Sequence, residues 1–279
     1  MYKRQAYDNA DTEGNNMAIG RDALGGSING GETNIAIGNY SLDANTSGDL
    51  NIGLGYVSLT QNSTGSSNVG IGNSAMQLNQ TGSSNTTIGN NSMKSSLSSS
   101  YNTAVGAEAL FDANRTADTD GYNTALGYNA GNTGTNDITT GNKNTLLGAS
   151  TAASAAAGTN QTVIGFGASG TADNSVTIGN SSVTAWYPGS DDTADLGSNS
   201  VEFKDLYIDG TANLDAVDID AGAIDGAAIG ANSASTGAFT TITASTSLDV
   251  TGSTGIILEN DETITCLLYT SDAADETVS

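Results

Sequence analysis

The sequence predicts an all-β fold: a parallel β-roll, that is a β-solenoid of about ten short coils, followed by segments of short β-strands. Three observations carry this expectation. The phrase Asn102-Thr-Ala-Val-Gly-Ala-Glu-Ala-Leu110 recurs along most of the first 180 residues. The glycine at its centre returns at positions 20, 38, 55, 72, 89, 106, 127, 148, 165 and 179, in steps of 18, 17, 17, 17, 17, 21, 21, 17 and 14 residues. A fixed period near 17 is the mark of stacked structural repeats. The side chains are also small: 36 of 279 residues are glycine and aromatics make up only 5%. A globular core of ordinary size is hard to fill from such residues, whereas a thin solenoid needs none.

One repeat reads as one strand and one bend. The clearest copies run Asn34-Ile-Ala-Ile-Gly38, Asn51-Ile-Gly-Leu-Gly55, Asn68-Val-Gly-Ile-Gly72, Asn85-Thr-Thr-Ile-Gly89, Asn102-Thr-Ala-Val-Gly106 and Asn123-Thr-Ala-Leu-Gly127. Residues one and three before the glycine share a side of the strand, because side chains alternate. These are the bulkier ones, such as Ile35 with Ile37 and Val69 with Ile71. The residue between them is small in most copies, so its face is expected to approach another surface closely. The glycine suits a bend that a side chain would obstruct. Ala or Ser three residues on, and Leu or Met four on, are expected to return to the interior. Stacking the copies buries a continuous narrow core that one repeat cannot bury alone. At about 4.8 Å per stacked strand, ten coils give a rod on the order of 50 Å long. The asparagines four before the glycine are expected to stack as an amide ladder. That structural role is preferred for Asn34, Asn51, Asn68, Asn85, Asn102 and Asn123 over ligand binding. The thin core and the small-residue face together suggest a homotrimer.

In chain order, residues 6–180 form the β-roll repeat domain, with 6–15 an incomplete coil. Turn signals such as Asn45-Thr-Ser-Gly48, Asn62-Ser-Thr-Gly65 and Asn79-Gln-Thr-Gly82 mark the corners. The two 21-residue steps place longer loops at 112–121 and 131–141. Residues 181–210 change character and hold the only Trp and the only Pro. Trp186 and Tyr187 are candidates for surface contact by stacking on a sugar, though a packed cap over the last coil is the stronger expectation. Val201, Phe203, Leu206, Tyr207 and Ile208 suggest strands. Residues 211–265 are a low-complexity, β-rich shaft segment. Its Asp215, Asp218, Asp220 and Asp225 read as a solvated acidic face, since they lack both the EF-hand spacing and the nonapeptide of calcium-binding rolls.

Composition excludes several functions. The net charge is −23, from 7 basic and 30 acidic residues. Nucleic acid and anionic membrane surfaces are therefore not expected partners. No apolar run approaches the length of a membrane-spanning helix, about 20 residues. There is no histidine, so a Ser-His-Asp or Cys-His arrangement is impossible within the chain. Glu108 and Asp112 are isolated acids with no recognisable partner for carboxylate-pair chemistry. No catalytic residue, cofactor or metal is expected.

The repeated phrase resembles the head repeats of trimeric autotransporter adhesins and, equally, the repeat shafts of phage tail fibres. This resemblance covers roughly residues 16–180 and implies a left-handed parallel β-roll of three chains. Two later blocks are similar to tail-fibre segments. One is Tyr187-Pro-Gly-Ser-Asp-Asp-Thr-Ala-Asp-Leu-Gly-Ser198 with Phe203-Lys-Asp-Leu-Tyr-Ile-Asp-Gly210. The other is Ile224-Asp-Gly-Ala-Ala-Ile-Gly230 with Ser235-Thr-Gly-Ala-Phe-Thr-Thr-Ile-Thr243. Residues 1–5 and 266–279 resemble translated sequencing adapter in opposite orientations, and on that reading they are not native; the only cysteine, Cys266, goes with them. The resemblance implies a structural component of a phage tail fibre, located in the virion. It would be a stiff trimeric shaft supporting recognition of a host receptor, carbohydrate or outer-membrane protein. The alternatives are an adhesin head on a bacterial surface and a tailspike-type carbohydrate depolymerase.

Overall fold

The computed structural model describes residues 14–113, 121–187, 196–198, 200–209 and 212. The adapter-like termini, Pro188, the acidic cluster at 215–225 and the segment 213–265 lie outside them. The chain divides into two units, one ending at Leu196 and one beginning at Gly197.

The first unit is a β-roll. Its ten strands have three residues each: β1 Met17–Ile19, β2 Ile35–Ile37, β3 Ile52–Leu54, β4 Val69–Ile71, β5 Thr86–Ile88, β6 Thr103–Val105, β7 Thr124–Leu126, β8 Thr145–Leu147, β9 Thr162–Ile164 and β10 Val176–Ile178. They form a single parallel sheet in chain order. Registry is strict: Ile35 pairs with Ile52, Val69 with Thr86 and Leu126 with Leu147. Each coil therefore lays the same repeat position over the same position of its neighbour. The longer steps leave this unchanged, because the loop at 131–141 lies outside the strands and returns Ile138 to the core.

The core lies inside the coil, and its make-up differs from the sequence expectation in one respect. The mid-strand residues point inward, where the small Ala36, Ala104 and Ala125 and the larger Leu146 and Val163 are fully buried. The bulkier pairs on either side, such as Ile35 with Ile37, point outward. Period two establishes which residues share a face, but it cannot say which face is inside. The close approach expected of the small face occurs within the roll. It packs on the residues three and four after each glycine, including Leu24, Leu42, Leu59, Met76, Met93 and Leu110, all buried. Size matching is visible there. Where the next strand holds a glycine, a serine reaches across: Ser41 Oγ donates to the Gly53 carbonyl at 2.9 Å, and Ser58 Oγ to that of Gly70 at 2.7 Å. Where it holds Ala104, Ser92 Oγ turns back to Gly89 of its own coil at 3.2 Å.

The corners depend on backbone that the sequence did not signal. Besides the bending glycine, each regular coil holds three non-glycine residues in the left-handed region. In the coil of β3 they are Leu50, Val57 and Leu59, at φ 58, 49 and 52°. Such residues cost about 1–3 kcal/mol each unless the surroundings over-determine them. Here each N–H donates to a carbonyl of an adjacent coil: Leu50 to Glu32 at 2.9 Å, Val57 to Asn39 at 3.0 Å and Leu59 to Ala75 at 2.9 Å. The stack holds the corners in place.

The end of this unit corrects a second expectation. Trp186 and Tyr187 do not cap the last coil: they are 79% and 83% exposed, and Val176 of β10 stays 69% exposed. The nearest cover is Val183, whose methyl groups lie against Gly179. In the second unit the expected strands at 201–208 are replaced by one antiparallel bridge between Ser198 and Val201. Ser198 N–H donates to Val201 O at 2.9 Å, and Val201 N–H to Ser198 O at 3.2 Å. This closes a tight turn, and no second strand pairs with it among the described residues. Phe203, Leu206 and Tyr207 are exposed accordingly.

Candidate functional site

Two features of the roll follow from its registry: a buried amide spine and an apolar outward face. The spine is built from the repeat asparagines. Asn34, Asn51, Asn68, Asn85, Asn102, Asn123 and Asn144 are all buried. From Asn34 to Asn123 each Oδ1 accepts twice from the next coil, and Asn144 Oδ1 takes the Gln161 backbone N–H. Asn51 Oδ1, for example, takes the Asn68 backbone N–H at 3.0 Å and the Asn68 Nδ2 at 3.2 Å. Each Nδ2 but that of Asn102 also donates to a corner carbonyl fourteen or more residues on, as Asn51 does to Gly65 at 2.8 Å, while Asn102 Nδ2 turns back to Ser99 Oγ and the Ser100 carbonyl. The ladder ends at Gln161, whose longer side chain turns aside to Ser154 and Asp173.

A second ladder was hidden in the turn signals. Asn62 Nδ2 donates to Asn45 Oδ1 at 3.0 Å, and Asn79 Nδ2 to Asn62 Oδ1 at 2.7 Å. The two ladders meet at the corner glycines. The carbonyls of Gly48, Gly65 and Gly82 each accept from both, Gly65 from Asn51 and Asn62 at 2.8 and 2.9 Å. Both lone pairs of a buried carbonyl are used. The recurrence of Asn45, Asn62 and Asn79 at intervals of 17 is the signal that identifies it. The second ladder breaks where Ser96 replaces asparagine, leaving Asn79 Oδ1 and Ser96 Oγ buried without a hydrogen-bond partner.

The outward face carries two columns of side chains. The column just before the bending glycine is aliphatic in all ten coils: Ile19, Ile37, Leu54, Ile71, Ile88, Val105, Leu126, Leu147, Ile164 and Ile178. Six of these are exposed and the rest half-buried. The column two residues earlier begins Met17, Ile35, Ile52, Val69 and continues Thr86, Thr103, Thr124, Thr145, Thr162 before closing on Val176. Neither column contains a charged residue, although the chain carries a net charge of −23. Exposed apolar stripes of this continuity mark interaction surfaces in soluble proteins.

Aromatic residues form small clusters elsewhere on the roll. Tyr101 and Tyr122 stack at 5.2 Å with an interplanar angle of 14°, both about half exposed. Tyr40 meets Tyr56 edge-on at 6.2 Å, and the Arg21 guanidinium lies 4.5 Å from the Tyr40 ring centre. Burial, reinforced by the negative charge of Asp22, pushes the Asp43 carboxyl above its ordinary range. Hydrogen bonds from Thr159 N–H and the Gln161 amide hold that of Asp173 below it. Glu108 and Asp112 are half-buried on the corner after β6. Among the described residues, no three His, Cys, Asp or Glu side chains gather as a metal site. No protein-family model matches the chain, and no curated protein or solved structure matches it.

Proposed function

We propose that this chain is a length of fibre shaft: three copies associate through the outward faces of β1–β10 into a stiff rod that holds a host-recognition element away from a phage tail. The observation that carries this reading is the uncharged outward face, one of whose two columns is aliphatic in all ten coils, on an otherwise strongly acidic chain. A face of that kind suits another copy of itself. Its repeat along the rod matches only a partner of the same strand spacing, and the lack of charge removes the like-charge repulsion that self-association would otherwise meet. The two blocks at 187–243 that resemble tail-fibre segments favour a virion fibre over a bacterial adhesin head, which the repeats alone fit equally well. Function on this reading is mechanical and multivalent. Weak contacts to a surface carbohydrate or outer-membrane protein, repeated on three chains, add through effective concentration. With no histidine, histidine-dependent catalysis is closed to this chain. Sedimentation equilibrium of the chain tests the assembly: a trimer is expected, and a monomer at high concentration overturns it.

A further inference from the structure

We infer that the seam of the proposed assembly has two parts of unequal strength: a dry, aliphatic part along β1–β4 and a hydroxyl-lined part along β5–β9. The inference rests on the assembly reading above and adds where its binding free energy lies. The observation is the break in one outward column. Met17, Ile35, Ile52 and Val69 give way in strict register to Thr86, Thr103, Thr124, Thr145 and Thr162. The neighbouring column stays aliphatic throughout, so the change is confined to one side of the face. Thr86 and Thr87 adjoin in sequence, yet Thr87 is fully buried inside the roll. Thr86 therefore belongs to the outward rank.

The consequence for a partner copy is physical. Each aliphatic residue placed against another copy removes apolar surface from water. Each threonine there contributes one methyl group but must keep its hydroxyl hydrogen-bonded, to water or to a hydroxyl of the other chain. A second copy therefore grips more tightly, coil for coil, along β1–β4. Association starts in that half, and the β5–β9 half opens first on dilution or warming. Among candidate partners this graded face selects the chain itself in parallel register, because only then do aliphatic coils meet aliphatic coils and threonine ranks meet threonine ranks.

The test uses the full chain and two outward substitutions that leave the buried core intact. Self-association of wild type, Ile52→Ser and Thr124→Val is followed by sedimentation, with far-UV circular dichroism as the control for folding. Hydrogen exchange near the dissociation midpoint is compared between the two halves. Ile52→Ser is expected to weaken association by about tenfold or more, and Thr124→Val to strengthen it. Exchange is expected to rise first in β5–β9. Equal weakening by both substitutions would show that the threonine hydroxyls are paired across the seam and hold it, overturning the inference while leaving the assembly intact. No effect of either, in a chain that still forms trimers, places the seam on another face. A monomeric wild type overturns the assembly reading itself.

Discussion

Gly70 and Gly72 stand two residues apart in one coil but meet different surroundings. A methyl group on Gly70 lies 2.8 Å from Ser58 Oγ and 3.1 Å from Leu59 Cγ, both of them side-chain atoms. Ser58 has an alternative already used elsewhere in the roll, the turn back to its own glycine that Ser92 makes beside Ala104. Gly70→Ala is therefore expected to change stability by less than about 1 kcal/mol, the lost hydrogen bond being offset by a stiffer unfolded chain. Gly72 has φ +136°, and a methyl group there lies 2.7 Å from the Gly89 carbonyl carbon and 3.3 Å from the Asn90 nitrogen, both backbone atoms of the next coil. Gly72→Ala is expected to cost on the order of 3 kcal/mol or more. Urea unfolding of the two variants checks this, and equal losses would contradict it. The bending glycines and the asparagines before them were legible in the sequence, because the glycine recurs in all ten coils and the asparagine in eight of them. The left-handed corners at Val57, Leu59 and their counterparts were not. The Val57 position holds aspartate, tyrosine, valine, serine, asparagine or glutamate in different coils, the Leu59 position holds leucine or methionine, and the inter-coil hydrogen bonds that fix both exist only once the coils are stacked.

A strand of three residues has no stability of its own, so each element is defined by the amides and carbonyls above and below it. The break in the second ladder shows how tightly neighbouring positions are coupled. In the coils of Asn62 and Asn79 the residue three later is glycine, and a methyl group on Gly65 lies 2.5 Å from Asn62 Oδ1. The next coil holds Ser96 with Ser99, so the side chain at 99 requires a short one at 96. Ser96→Asn alone is expected to destabilise by crowding Ser99. Ser96→Asn with Ser99→Gly is expected to stabilise by about 1 kcal/mol, because it gives the orphaned Asn79 Oδ1 a donor and restores the shared carbonyl. Thermal unfolding of the single and double variants forms the test; a double variant no better than the single would mean that the ladder contributes nothing beyond packing. Strand positions were readable from the glycine spacing to the residue. Their orientation was not, because Ala36 and Ile35 are both apolar and only the packing of Leu42 decides which faces inward. Residues 201–208 also read as strands, through Phe203, Tyr207 and Ile208, but strand-forming residues without a paired neighbour close only the single bridge at Ser198 and Val201.

On the scale of the whole roll, every coil touches its neighbours and little else, so stability is a sum of coils and interfaces rather than a property of one shared core. The open far end follows from this: Trp186 and Tyr187 read as a cap because solenoids need one, yet nothing in their own sequence ties them to β10, and they stand exposed. The same logic makes the number of coils adjustable. Removing residues 56–72, one period of 17, joins Gly55 to Asn73 and preserves every repeating contact. Asn51 then stacks on Asn85, Asn45 on Asn79 and β3 on β5. Ser41 keeps Gly53 as its partner, and Ala75 keeps Thr87. The shortened chain is expected to fold with the same circular dichroism spectrum, to unfold cooperatively at a modestly lower temperature, and to be shorter by about 4.8 Å. Removing residues 56–63 instead takes out fewer residues but puts the coils on its two sides out of register with each other. That places Gly70 and Met76 where the buried amides of Asn62 and Asn68 belong and leaves the amide spine broken at one coil. It is expected to lose far more stability than the longer deletion, despite retaining more of the chain. If the two deletions melt alike, the roll does not depend on registry, and the amide spine is a by-product of the repeat rather than what fixes the stacking of its coils.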